Sequence, residues 1–267
     1  EYSYICSGTI LTNGKEYTYS KECEKFVVAS EQYEQDEYEA RGEIPTYQSF
    51  FDINISASQG GPYCFRVFYQ TEAIGWNTHK TYLTTLFESL YSTFIVNNLF
   101  TAPSMYTGSD KQYFPVYIVS NQDTTAMSLS AAAITRRYGN NNLSTIIVRD
   151  YYVLNSRCEV IAHEFMHAIM KSYTNWGVTL PNWYKEGFAN LASIIFCSED
   201  PDRELNAIIS DIKAYKENSD KSITSTSGVP DTFCYGTTLY PLYIYSQLGG
   251  WYTVRNIFTN YMTYYNS

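Results

Sequence analysis

The sequence predicts an α+β fold, and three observations carry the prediction. Short runs of alternating β-forming residues crowd the first third of the chain, apolar residues recur at helical spacing in the middle, and helix start and stop signals punctuate the last third. Strands, then a mixed region, then an all-helical stretch is an order that sets a sheet beside a helical half, with a cleft between them. At 267 residues, 45% of them apolar, the chain can bury a substantial core and is globular rather than disordered.

In the first third, Tyr17–Tyr19, Phe50–Ile55 and Tyr63–Tyr69 read as strands, with turn signals at Asn13-Gly14 and Gly60-Gly61-Pro62. An acidic run from Glu31 to Glu43, holding Glu34, Asp36, Glu37 and Glu39, reads as a solvated loop or an exposed helix face. From Asn77 to about Phe100, Tyr82, Leu83, Leu86, Phe87, Leu90, Tyr91, Phe94 and Ile95 form one helical stripe, which Pro103 ends. Phe114–Val119 is a strand, followed by a Ser/Ala-rich segment and an Asn140-Asn141-Asn142 turn. Leu143–Val148, rich in β-branched residues, is the next strand. A helix then starts near Ser156 as N-cap. Further on, Pro181 precedes a helix over Trp183–Phe196, and Ser198-Glu199-Asp200-Pro201 opens another. After a polar loop at Ser219–Gly228, two final helices at Tyr235–Leu248 and Trp251–Tyr264 are split by Gly249-Gly250. The organisation is a small β-rich N-terminal region, residues 1–75, packed on a domain spanning residues 76–267.

A net charge of −9 implies no basic face, which makes nucleic acid and anionic membrane surfaces poor partners. No stretch approaches the roughly 18–20 apolar residues of a membrane span. The six cysteines, Cys6, Cys23, Cys64, Cys158, Cys197 and Cys234, include no Cys-x-x-Cys pair, which argues against a zinc knuckle or a dithiol redox motif. Widely spaced and even in number, they fit disulfides in an oxidising compartment. The chain opens without an apolar run, so it reads as a secreted protein whose signal peptide has been removed. The 28 tyrosines suit packed surfaces with a wet edge and, within a cleft, recognition of peptide or sugar.

Chemistry concentrates in His163-Glu164-Phe165-Met166-His167, which holds two of the three histidines in the chain. On a helix, residues i and i+4 share a face, so the two imidazoles can converge on one Zn²⁺. Glu164 lies beside them, placed to act as a general base. Catalytic zinc usually takes three protein ligands, so a third is needed. His79, far upstream in a helix, reads more simply as a surface or helix-start histidine. No histidine follows His167 at the spacing of the metzincins, so that pattern is excluded. The downstream carboxylates remain. Among them Glu186, in the apolar, helical segment Trp183–Asn190, stands out, with small neighbours Gly187 and Ala189 that let its helix approach the first.

The pentad, eighteen intervening residues, and Glu186 inside Trp183-Tyr184-Lys185-Glu186-Gly187-Phe188-Ala189 together resemble the gluzincin zinc metallopeptidases. The aminopeptidase-N-like branch matches in spacing and in the Glu-Gly-Phe-Ala tetrad. The resemblance covers about residues 76–265. It implies a thermolysin-like catalytic domain with a mixed sheet and an active-site helix, followed by a mainly helical C-terminal subdomain. It implies one zinc ion held by His163, His167 and Glu186, with Glu164 as general base. It also implies an oxyanion-stabilising tyrosine downstream, a role that Tyr235 fits, with Tyr240 and Tyr243 as competitors.

Two departures from that family shape the expectation. The Gly-x-Met-Glu-Asn motif with which the aminopeptidases grip a free amine is absent, and Leu143–Val148 looks like an edge strand able to pair with an extended peptide, as in the collagenase-like endopeptidases. Where many gluzincins carry a carboxylate four residues after the ligand glutamate, this chain has Asn190, whose amide polarises an imidazole less. In the light of the resemblance, a Cys197–Cys234 bridge would tie the Glu186 helix to Tyr235, and Cys6–Cys23 would close an N-terminal hairpin. The function implied is a secreted zinc endopeptidase acting on protein or peptide. An aminopeptidase, or an inactive relative that binds protein or glycan, are the alternatives.

Overall fold

The computed structural model describes residues 4–12, 15–23, 49–69, 76–121, 131–138, 143–173, 180–197, 212–218 and 235–265. The acidic run, the Asn13-Gly14 and Asn140–Asn142 turns, Ser198–Pro201, the Ser219–Gly228 loop and Cys234 lie outside the described residues, as do the side chains of Cys6 and Cys23.

Near the N-terminus, β1 (Tyr4–Thr12) and β2 (Lys15–Cys23) pair antiparallel, with Gly8 opposite Tyr19. The main sheet holds β3 (Ser49–Ile55), β4 (Tyr63–Tyr69), β6 (Gln112–Val119), β7 (Ala133–Tyr138) and β8 (Leu143–Arg149) in the order β3-β4-β6-β8-β7, and the two-residue β5 (Tyr106–Thr107) pairs with β6. It is a mixed sheet: β4, β6 and β8 run parallel, while β3 and β7 flank them antiparallel. The inner strands β4, β6 and β8 are buried along most of their length, which explains their near-continuous apolar runs. The sheet crosses the boundary placed at residue 75, since β3 and β4 belong to it.

Two expectations about strands are corrected. Leu143–Val148 is an inner strand, hydrogen-bonded to β6 on one side and β7 on the other. The edge on that side is β7, formed within the segment that reads as Ser/Ala-rich, and among the described residues it pairs on one side only. The Ala-rich lead-in and paired arginines of Ala131–Tyr138 hid an alternation in which Ala133 and Thr135 turn inward, buried, while Ile134 packs with a cluster on the other face.

On one face of the sheet, aromatic rings form the centre of the core. Phe65 packs against Phe87 at 4.7 Å between centroids and against Phe114 and Phe165 at 5.9 Å each, joining three layers of sequence. Phe87 comes from α1 (Trp76–Leu90), which continues through Tyr91–Asn97 with wider π-type turns. The helix ends at Asn98 and Leu99, the latter at φ 58°, several residues before Pro103; the Asn98 side chain donates to the Thr93 carbonyl at 2.7 Å. On the other face, Arg66 sits between the rings of Phe50 and Tyr113 and donates to Asp52 across the β3–β4 register at 2.8 Å, and to Asp110 at 2.9 Å. A guanidinium this buried needs such partners.

After β8 a short α2 (Asp150–Leu154) intervenes before α3 (Cys158–Tyr173). Ser156 is therefore not an N-cap: its φ of 51° is left-handed, and its N–H closes α2 onto the Val153 carbonyl at 3.0 Å. The next helix, α4 (Asn182–Phe196), is buried at every position from Glu186 to Ile194, a helix enclosed on all sides. Cys158 at the start of α3 is bridged to Cys197 just past the end of α4, which overturns the Cys197–Cys234 pairing. The last two helices are α5 (Leu239–Gln247) and α6 (Gly250–Tyr265). Gly249 at φ 112° and Gly250 at φ 64° make the break between them, a conformation that side chains with a Cβ rarely adopt. Tyr235 and Gly236 are helical, and a turn at Thr237-Thr238 separates them from α5, which starts at Leu239 rather than at Tyr235. Among the described residues, no helix is long and apolar enough to cross a membrane.

Candidate metal centre

Burial on α3 sets the direction of the two histidines. Ile161, Ala162, Phe165, Met166, Ala168, Ile169 and Met170 pack into the core, leaving His163 and His167 half-buried on the remaining face. Against that face lies α4, which presents Glu186. The three side chains converge: His163 Nε2 is 3.2 Å from Glu186 Oε2 and 3.0 Å from His167 Nε2, and His167 Nε2 is 3.5 Å from Glu186 Oε2. Two tetrahedral ligands with bonds of ~2.05 Å are separated by about 3.3 Å, so this triangle has the size of one face of a zinc site. The donor set, two imidazole nitrogens and a carboxylate oxygen, also suits zinc. His79, half-buried in α1, does not belong to the cluster.

The electrostatics describe a site that attracts a cation. Burial alone would raise the Glu186 carboxyl, but the charge of His167 and hydrogen bonds from both imidazoles outweigh it and hold the group far below the usual carboxylate range. Burial alone would lower His163; the hydrogen bond and charge of Glu186, the charge of Glu164 and a hydrogen bond to Asn190 reverse the shift and raise it. Three lone-pair-bearing atoms packed this closely repel unless a proton or a metal ion lies among them.

Glu164 projects beside this triangle and is buried, and Thr135 of β7 holds it. The Thr135 hydroxyl lies 2.7 Å from Glu164 Oε2 and 2.8 Å from the Glu164 main-chain oxygen. Across the site, the Tyr235 ring lies 6.5 Å from the His163 ring, centroid to centroid. Of the two competing tyrosines, Tyr240 packs on Trp183 and is 50% exposed, and Tyr243 is 52% exposed. The turn carrying Tyr235 is tied to the glutamate helix, because Thr237 Oγ1 donates to the Trp183 carbonyl at 2.9 Å. Gly187 faces this turn rather than α3: a Cβ there would lie 3.1 Å from Thr237 Oγ1 and 3.2 Å from Pro241 Cγ.

The structure thus brings His163, His167, Glu186, Glu164, Asn190 and Tyr235 to one place. Sequence reasoning missed Thr135 and Thr237. The β-branched Ile134-Thr135 pair was the available signal for the first; for Thr237 there was none, since its partner lies 54 positions away on another element. Compared with known proteins, the chain matches no protein-family model and no curated protein.

Proposed function

We propose that this chain is a secreted, gluzincin-type zinc endopeptidase that hydrolyses protein or peptide substrates. The observation that carries the reading is the convergence of His163, His167 and Glu186 from two helices, with a buried carboxylate, Glu164, next to them. His163, His167 and Glu186 would hold the metal. Bound there, zinc supplies Lewis-acid polarisation of water and of the scissile carbonyl. Glu164 accepts a proton from the attacking water and passes it to the departing amine. Tyr235, whose ring lies against His163, is placed to donate its phenol hydrogen to the developing oxyanion. The edge of β7, which pairs on one side only among the described residues, supports an endopeptidase, since an extended peptide can add there as a further antiparallel strand. The Cys158–Cys197 bridge supports folding in an oxidising compartment, and thus secretion.

The test is a digest of casein and of amino-terminally blocked peptides, with wild type and Glu164→Gln, after zinc has been counted by mass spectrometry. The proposal expects stoichiometric zinc in both proteins, cleavage of blocked peptides by wild type, and loss of nearly all turnover in the variant. Cleavage confined to free amino termini would instead identify an aminopeptidase. Zinc without cleavage of any substrate would leave a binding protein on a peptidase scaffold.

A further inference from the structure

We propose that Thr135 is the positioning residue for Glu164, and that through it the edge strand β7 sets the placement of the general base. The inference rests on the reading of Glu164 given above and adds a residue that the family resemblance does not assign.

Three observations carry it. First, Thr135 is a polar residue buried in the core-facing row of an edge strand, at 7% exposure, and Glu164 is buried to the same degree. Burying a hydroxyl beside a carboxylate is unfavourable unless the two are paired, so the contact is a specific one. Second, the hydroxyl reaches two oxygens of the same residue, Oε2 at 2.7 Å and the main-chain oxygen at 2.8 Å. A hydroxyl has a single hydrogen to donate and both of these oxygens are acceptors, so that hydrogen is shared between them in a three-centre bond. Seated between the carboxylate and the backbone of one residue, it fixes the side chain relative to its own helix turn and engages one carboxylate oxygen, Oε2. The other oxygen is left to work on the substrate. Third, the threonine χ1 is stiff, because two heavy atoms branch at its Cβ. Its backbone is held opposite Ile146 in the β7–β8 register. The hydroxyl therefore has little freedom to drift.

The placement matters because of where β7 lies. Among the described residues it is one of the two outer strands of the sheet, and the one that carries Thr135, so a peptide that adds to it packs alongside the very residues that hold the base. Register of the bound peptide and position of Glu164 are then set by one element. In a reaction whose rate depends on sub-ångström placement of the base, this is a direct route from binding to turnover.

The experiment compares Thr135→Val, which keeps the branched shape and removes the hydroxyl, with Thr135→Ser, which keeps the hydroxyl, using an internally quenched blocked peptide and expressing rate per bound zinc. The expected result is a kcat lowered about ten- to a hundredfold in Thr135→Val with KM nearly unchanged, and most of the rate restored in Thr135→Ser. A second readout needs no turnover. In urea unfolding of the metal-free protein, Thr135→Val should lower the midpoint more in the wild-type background than in a Glu164→Leu background, where the hydroxyl keeps the main-chain oxygen but has lost its carboxylate. Glu164→Gln measured alongside separates the two claims. If Glu164→Gln retains turnover, the base assignment fails. If Glu164→Gln is inactive while Thr135→Val matches wild type in kcat, or Thr135→Ser is as slow as Thr135→Val, the positioning role is overturned. Should Thr135→Val fail to fold, Thr135→Ser carries the test: a fall in KM-independent rate equal to that of Glu164→Gln would also overturn it.

Discussion

Gly187 faces Thr237 across a gap in which a Cβ would fit only if its neighbour gave way by a few tenths of an ångström. One built on Gly187 would sit 3.1 Å from Thr237 Oγ1, and that same hydroxyl anchors the Tyr235 turn to the Trp183 carbonyl. A glycine next to Glu186 thereby bears on how near the candidate oxyanion tyrosine stands to the His163–His167–Glu186 cluster.

Gly187→Ala tests this relationship. Alanine in a helix interior gains about 1 kcal/mol over glycine, while overpacking costs about 1–3 kcal/mol. The two terms nearly offset, so the thermal midpoint should move little. The turn must still give way by a few tenths of an ångström, carrying Tyr235 with it. Turnover should therefore fall several-fold while zinc content stays stoichiometric, and Tyr235→Phe should lower kcat about 10²-fold by removing the donor itself. A Gly187→Ala protein with unaltered kcat would show that the turn is not coupled to the chemistry.

How much of this was legible in the sequence follows from the range of each interaction. The His163–His167 spacing and the Tyr82–Ile95 stripe are local, set by helical geometry, and the structure reproduces both. Glu186 could be singled out because it is the one carboxylate in a helix with apolar residues on both sides of it, which gives it a reason to be buried. Sheet order was another matter. Whether Leu143–Val148 lies inside or at the edge depends on β7, whose alternation is blurred by alanines and arginines. Disulfide pairing failed for the same kind of reason. Cys158 and Cys197 meet only because α3 and α4 pack side by side, with Ser193 Oγ donating to the Glu159 carbonyl at 2.8 Å next to the bridge.

That bridge joins the helix of the two histidines to the helix of the glutamate and closes a loop with a sequence separation of 39. Loop-closure entropy assigns such a link about 4 kcal/mol. Cys158→Ser with Cys197→Ser should lower the thermal midpoint by several degrees or more and, on the proposed function, weaken zinc retention, because the helices that carry His163, His167 and Glu186 lose a covalent tie. Peptide mapping of the native protein under non-reducing conditions should recover Cys158 joined to Cys197. Recovery of Cys197 joined to another cysteine would contradict the structure directly.

Asn190 hydrogen-bonds the His163 ring and raises its proton affinity, as an amide oxygen accepting from the imidazole would. A carboxylate in its place would hold the ring more firmly and make it a stronger donor to a metal. Asn190→Asp should tighten zinc binding about tenfold, read by competition with a chelator at pH 7.5. Asn190→Leu should weaken it by a similar factor. Equal affinities across the three proteins would remove Asn190 from the metal site.

The opposed shifts of His163 and Glu186 predict how stability changes with pH in the metal-free protein. His163 is raised above 6.5 in the fold, so the stability it contributes is fully present below 6.5 and is lost as pH rises through the folded value. Glu186 is held far below 4.5, so its contribution is present above 4.5 and is lost only as pH falls toward that depressed value. Both contributions coexist between about pH 4.5 and 6.5, where the chelator-treated protein should show its highest thermal midpoint. Zinc reverses the trend on the alkaline side. Binding needs His163 without its proton, so affinity should climb about tenfold for each pH unit per displaced proton until that group is fully deprotonated. The difference in midpoint between zinc-loaded and chelator-treated protein should therefore widen steadily from pH 5.5 to 8. His163→Ala should abolish both the zinc-dependent widening and the alkaline loss of the metal-free form. A difference in midpoint that does not change with pH would mean that His163 is not the group on which proton and metal compete.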